Sequence, residues 1–238
     1  MPEKNPVLES LMARKSMRVY EERPVPPEVR DAILAAAMRA PTAGNMMLYS
    51  IIDVTDQSIK DTLAKSCDDQ PFIATAPMVL LFLADYRRWV RAFRGINGGE
   101  CRPLGPGDLL LASADAIIAA QNAVVAADAL GLGSCYIGDI IENFELHREL
   151  FNLPPQTAPI ALLCIGYPTE QQKNRRQLGR FDRDLVVFEN HYHELGEDEL
   201  DRMVSPEQAE RMFRFKFVSD FAQEMNRSSA EILKNFFQ

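Results

Sequence analysis

Histidine is scarce in this chain: three in 238 residues, at His147, His191 and His193. His191-Tyr-His193 has no third ligand in view, so no metal site is expected. His147 sits in the charged run Glu145-Leu-His-Arg-Glu149 and reads as exposed. Cysteine is equally sparse. Cys67, Cys101, Cys135 and Cys164 all stand more than four residues apart, which removes the C-x-x-C spacings of zinc and redox sites. Cys135 and Cys164 lie in apolar segments and read as small buried hydrophobes. No G-x-x-x-x-G-K-[ST] loop and no G-x-S-x-G elbow occurs, which excludes a P-loop and disfavours an α/β-hydrolase. Gly131-Leu-Gly-Ser-Cys-Tyr136 opens like a dinucleotide fingerprint, but Tyr136 replaces its last glycine and the run follows a helix rather than a strand. No catalytic side chain is therefore assigned; a reaction here would be carried by a bound organic cofactor.

Positive charge is also in deficit. The net charge is −8 and the pI about 5.0, whereas a general nucleic-acid binder shows a basic stripe and a high pI. No long hydrophobic run is free of polar residues: the most apolar stretch, Leu109 to Leu130, contains Asp115, Gln121, Asn122 and Asp128, which argues against a membrane span. The N-terminus lacks an apolar h-region. A cytoplasmic, reduced protein is expected, without nucleic-acid or membrane partners. The composition, 47% hydrophobic and 25% charged, is that of a globular protein.

What stands out is two short basic clusters in this acidic chain: Arg14-Lys15-Ser16-Met17-Arg18, and Lys173-Asn-Arg-Arg176 some 155 residues later. Arginine offers a planar fork that matches phosphate oxygens, so together the clusters point to one phosphate held from both ends of a domain. The first follows a predicted helix opened by Asn5-Pro6. A second helix starts near Pro27 and stops before Pro41. Strands are predicted at 49–54, 77–84, 134–138 and 159–166. Asp56 caps a short helix between the first two strands, and another short helix spans 144–151. Residues 87–107, rich in glycine and charge, read as an irregular loop suited to a lid. Asp108 is expected to cap a long buried helix over 109–130, ended by Gly131. From about residue 196 the composition shifts. Capping boxes at Ser205–Gln208 and Ser228–Glu231 predict two helices, the first with one apolar stripe of Phe213, Phe217, Phe221 and Met225.

Four segments, in order, resemble the FMN-dependent nitroreductase family: Arg14-Lys-Ser-Met-Arg-Val-Tyr20, Ala40-Pro-Thr-Ala-Gly-Asn45, Gly131-Leu-Gly-Ser-Cys-Tyr-Ile-Gly138, and Gly166-Tyr-Pro168 with Lys173 and Arg175 downstream. The resemblance covers about residues 7 to 190. It implies an α+β fold, with a mixed β-sheet flanked by helices around a long buried central helix, and an intertwined homodimer with FMN at the interface. Residues 1–196 would form the FMN-binding domain, and 197–238 a helical extension packing on the core or on the partner.

The same resemblance assigns cofactor-binding roles. Arg14, Lys15, Ser16, Arg18, Lys173 and Arg175 would hold the FMN phosphate and ribityl oxygens, with Arg176 left as ordinary surface. Pro41, Thr42, Ala43 and Asn45 would line the isoalloxazine. Tyr136, Ile137 and Gly138 would bring backbone groups to the flavin N5 edge, and Gln70 would reach the pyrimidine edge. Where many members carry N-x-Q-P-[WF], this chain has Asn45-Met-Met-Leu-Tyr49, so Met47 cannot supply the amide hydrogen bonds of Gln. The implied activity is hydride transfer from NADH or NADPH to flavin N5, then reduction of a small-molecule electron acceptor (a nitroaromatic, quinone or flavin) by a ping-pong mechanism. The alternatives are a specialised flavin reaction, such as reductive dehalogenation or flavin cleavage, and a non-catalytic FMN-binding module.

Overall fold

The structure, a computed structural model, describes residues 5–96 and 101–238. Helix α1 (Pro6–Ala13) begins as its Asn-Pro signal predicts: the Asn5 side chain accepts from the N–H groups of Val7 and Leu8 at 3.0 and 3.2 Å. Helix α2 (Pro27–Met38) also opens on proline and ends before Pro41. Strand β1 (Tyr49–Asp53) and α3 (Gln57–Ser66) follow, with Asp56 capping α3 as expected. Next come α4 (Phe72–Thr75), β2 (Met78–Asp85), α5 (Arg87–Ala92), α6 (Pro106–Ala129), β3 (Gly133–Ile137), α7 (Phe144–Leu150), β4 (Thr157–Gly166) and α8 (Glu170–Asn174). The C-terminal part carries α9 (Glu197–Met203), α10 (Pro206–Met212) and α11 (Asp220–Phe236).

The strands form one sheet in the order β1-β2-β4-β3. The resemblance implies a mixed sheet; within the described residues every strand pair is antiparallel. The central strands read as unbroken apolar runs because both their faces are covered. Leu80, Phe82, Leu163 and Ile165 pack against α2 and the alanines Ala116, Ala119, Ala120 and Ala123 of α6. Val79, Leu81, Leu83, Leu162 and Cys164 face Leu63 and Ile73 on the other side. Small alanines bring α6 close to the sheet on its buried side, while Leu110, Leu111, Ile117 and Ile118 of the same helix remain exposed, Leu110 at 71%.

Several local expectations are corrected. The cap of α6 is Gly105, because Pro106 already takes the first helical position. Asp108 instead reaches back to the Gly105 N–H at 2.8 Å while Arg102 clasps its carboxylate at 2.6 and 2.8 Å. The stretch 87–107 opens with α5, and its residues 97–100 lie outside the described residues. His147 is fully buried on the inner face of α7. Its Nδ1 lies 2.9 Å from the Ile140 carbonyl and must donate, so Nε2 accepts from the Ser66 hydroxyl at 2.8 Å. Burial holds this imidazole neutral by lowering its pKa.

At the C-terminus the Ser205–Gln208 box forms, but Ser228 caps nothing. It lies buried within α11, donating to the Ile141 carbonyl at 2.5 Å and accepting from the Phe144 N–H at 2.9 Å. The helix starts earlier, at a Ser219 cap that follows a π turn over Phe213–Phe217, so the expected phenylalanine stripe is broken in two. Ile232 and Phe236 of α11 enter the core beside Leu48 and Phe144.

Glu142, between β3 and α7, is almost fully buried and its Oε1 has no hydrogen-bond partner among the described residues. Burial, then the nearby carboxylates of Asp139, Asp68 and Glu224, pushes its pKa from 4.5 up to about 7. The folded state thus holds a proton that the unfolded chain loses at lower pH. The penalty is absent in acid, grows between pH 4.5 and about 7, and persists above. Glu142→Gln is expected to raise unfolding free energy at pH 8 by about 1–3 kcal/mol, with little effect near pH 4.5. Urea unfolding at the two pH values checks this.

Candidate functional site

Two glycines decide how the chain ends of the sheet meet. Met17 N–H donates to the Ser134 carbonyl at 2.9 Å, Glu21 N–H donates to the Tyr167 carbonyl at 2.8 Å, and Tyr20 forms a β-bridge with Pro168. A Cβ at Gly133 would collide with the Met17 side chain; one at Gly166 would stand 2.7 Å from Pro77 Cδ and 2.8 Å from the Tyr20 ring. Only glycine permits this approach. The Tyr20 hydroxyl closes the seam by donating within reach of the Met17 and Cys164 carbonyls, at 2.7 and 3.1 Å.

The seam brings the two basic clusters together. Lys15 Nζ donates to the carbonyls of Lys173 and Arg175 at 2.5 and 2.6 Å. The Arg175 guanidinium donates to the Ser16 carbonyl. Gln177 Nε2 donates to the carbonyls of Met12 and Arg14 at 2.7 and 3.0 Å. Arg18 N–H donates to Gln172 Oε1 at 3.2 Å. Between them lies a pocket of about 90 Å³ lined by Arg14, Lys15, Ser16, Arg18, Arg175, Arg176, Gln177, Leu178 and Arg180. No carboxylate lines it, and among the described residues none of these cations forms an ion pair. Uncompensated guanidiniums in a chain of net charge −8 fit a group of two negative charges, as an FMN phosphate carries.

Two residues change place relative to the sequence reading. Arg176, expected as ordinary surface, lines the pocket because α8 ends at Asn174 and the chain runs extended beside Ser16. The Lys173 ammonium turns away to Glu170 at 2.6 Å, leaving the Lys173 backbone carbonyl as its link to the cluster. Gln177 and Arg180 were missed; the basic run continuing to Arg180 was the available signal.

The loop holding Pro41, Thr42, Ala43 and Asn45 is built on one buried carboxylate. Asp115, in the apolar α6, accepts from the Ala43 N–H at 2.9 Å and the Leu48 N–H at 3.0 Å. Thr42 Oγ1 accepts from the Met47 N–H at 3.1 Å. Trp89 and Arg88 of α5 donate to the Met46 and Met47 carbonyls at 2.7 and 3.0 Å. The loop needs this hold, for Gly44, Asn45 and Met47 all take left-handed backbone, with φ of 56°, 57° and 49°. The Met46 and Met47 side chains pack against core clusters. Among the described residues no hydrogen bond joins this loop to the basic pocket.

At the end of β3, Tyr136 is half-buried, Ile137 buried and Gly138 exposed. Burial lifts the Tyr136 phenol to about 12. A Cβ at Gly138 would meet no atom, so glycine leaves open space there. Gln70 comes to the same end, its amide held by Asp139. A larger cleft of about 710 Å³, between β1 and α5, contains none of the expected residues.

The family model of the nitroreductases matches residues 11–167. The chain belongs to the nitroreductase family. An oxygen-insensitive NADPH nitroreductase of Salmonella typhimurium is 34% identical over 83% of this chain and 79% of its own length. An FMN reductase [NAD(P)H] of Bacillus subtilis is 32% identical over 82% of this chain and 77% of its own. Among solved structures, the NADPH:FMN oxidoreductase from Vibrio harveyi complexed with NAD+ superposes with a TM-score of 0.76, at 27% identity, over 94% of this chain and 92% of its own. The matched family segment stops before the second basic cluster, so it is the folded chain that joins that cluster to the first.

In this nitroreductase, replacing Asp115 would strip two loop N–H groups of their acceptor. Asp115→Ala is expected to cost about 2–4 kcal/mol, one to two per unsatisfied donor, measured by urea unfolding.

Proposed function

We propose that this nitroreductase binds FMN and uses NADH or NADPH to reduce a small, flat electron acceptor such as a nitroaromatic, a quinone or another flavin. The observation that carries the reading is the convergence of two distant basic clusters on one pocket without a carboxylate. The names of the relatives, NADPH nitroreductase and FMN reductase among them, support it. Bound there, FMN supplies the hydride-accepting and hydride-donating chemistry that no side chain of the chain offers. Arg14, Ser16, Arg18, Arg175 and Arg176 would hold the phosphate. Pro41, Thr42, Ala43 and Asn45 would form an apolar wall of preset shape, because Asp115 fixes their backbone. The Tyr136–Gly138 backbone would face the reactive edge, where a preorganised N–H stabilises developing negative charge without reorganising. One open pocket serving reductant and acceptor in turn gives ping-pong kinetics.

The functional unit in this reading is a homodimer, residues 1–196 forming the cofactor-binding unit and 197–238 the helical extension. Support comes from apolar faces left exposed among the described residues: Val7, Leu8, Leu11 and Met12 on α1, and Leu110, Leu111, Ile117 and Ile118 on α6. The cytoplasm is the proposed compartment, since it supplies NAD(P)H and keeps four unpaired cysteines reduced.

Anaerobic addition of NADPH or NADH to the FMN-loaded protein is expected to bleach the flavin absorbance, and a quinone to restore it; an unbleached flavin would instead favour a storage module. Arg18→Ala is expected to weaken FMN binding by about 1.5–3 kcal/mol, the scale of a charge-assisted hydrogen bond, measured by flavin fluorescence. Leu110→Glu, which leaves the buried side of α6 untouched, is expected to shift the protein from dimer to monomer in sedimentation; a dimer that persists would place the interface elsewhere.

A further inference from the structure

Gln70 is held unusually firmly for a half-buried side chain. Asp68 and Asp69 before it adopt left-handed backbone, φ 60° and 48°, and its own N–H donates to the Ala64 carbonyl at 2.7 Å. Its side-chain nitrogen donates to the Cys67 carbonyl at 2.8 Å and to Asp139 Oδ2 at 2.8 Å. Both partners are pure acceptors, so the NH2 end of the amide must face them, and both its protons are consumed. Turning the amide over would set its oxygen against a carbonyl and a carboxylate and forfeit both bonds. The remaining atom, Oε1, accepts no hydrogen bond among the described residues and is not among the buried unpartnered oxygens.

Asp139 is the residue after Gly138, the end of the strand proposed to face the reactive edge of FMN. The pyrimidine rim of an oxidised isoalloxazine carries two carbonyl acceptors with one donor, the N3–H, between them. A free glutamine amide could serve any of the three. One whose protons are both tied back can serve only the donor. We infer that Asp139 is a positioning residue: it locks the Gln70 amide so that its oxygen alone faces the cofactor and selects the flavin by its N3–H. This inference rests on the FMN reading and adds to it a selection between flavins that differ at one atom. Asp139 touches the cofactor through Gln70, so a purely structural role would predict weaker binding of every flavin alike.

The test is equilibrium binding of FMN and of 3-methyl-FMN, which lacks the N3 proton, to the apoprotein by fluorescence quenching. The wild type is expected to prefer FMN by about tenfold or more, the loss of one hydrogen bond to a held acceptor. In Asp139→Ala one amide proton is released while the Cys67 carbonyl still holds the other, so the amide can also donate to the flavin carbonyls and the preference should fall to within about threefold; a steric clash with the added methyl would instead survive the substitution. Asp139→Asn, whose oxygen still accepts from Gln70, should restore most of the preference. Gln70→Ala should abolish it and make the Asp139→Ala change silent in the double variant. Full preference retained in Asp139→Ala, or equal preference in wild type and Gln70→Ala, overturns the proposal, the second even if the alanine variant at 139 does not fold. If neither flavin binds, the FMN reading itself has failed; tight FMN binding without preference defeats this inference alone.

Discussion

The basic pocket depends on the close approach of the chain after α1 to the two strand ends at Gly133 and Gly166. Three backbone links, Met17 to Ser134, Glu21 to Tyr167 and Tyr20 to Pro168, form there only because neither glycine carries a Cβ. The seam ties the first twenty residues to β3 and β4, elements that follow in sequence by more than a hundred residues. It therefore sets cations from both ends of the domain around one small pocket. Like charges held together are costly unless an anion occupies the space between them. That cost is the physical reason to expect a ligand of opposite charge rather than a decorated surface.

A second support works by the same logic in the loop between α2 and β1. Asp115 is a carboxylate in a helix otherwise chosen for small apolar residues. Its two oxygens accept from two N–H groups of a loop whose left-handed residues would not hold their shape unaided. Arg88 and Trp89 donate to carbonyls of the same loop. The wall offered to a flavin is thus shaped by backbone hydrogen bonds, which explains how Met47 can stand where the usual motif has glutamine while the side chains of Met46 and Met47 serve the core.

Much of this was legible in the sequence, because its signals are local. The Asn5-Pro6 start, the Asp56 cap, the Gly131 turn and the unbroken apolar runs of β2 and β4 each depend on neighbours in the chain, and the motifs Arg14–Arg18 and Tyr136–Gly138 could be read directly. What escaped depends on tertiary partners. His147 lies in a charged run, yet the inward face of α7 is fixed by Ile140 and Ser66. Ser228 has the spacing of a cap, but α11 had already begun at Ser219. Asp115 was seen only as a break in hydrophobicity, and its acceptors' work belongs to residues some seventy positions earlier. Arg176 lines the pocket while the Lys173 ammonium turns to Glu170, because the end of α8, not composition, decides which side chains border it.

The account stands on the basic pocket being a phosphate site. Riboflavin is FMN without the phosphate, so the affinities of the apoprotein for the two, titrated by flavin fluorescence at low and high salt, test it most directly. FMN is expected to bind at least about a hundredfold more tightly, two or more charge-assisted hydrogen bonds' worth, with the advantage shrinking as salt rises. Equal affinity for riboflavin and FMN at low salt would contradict it.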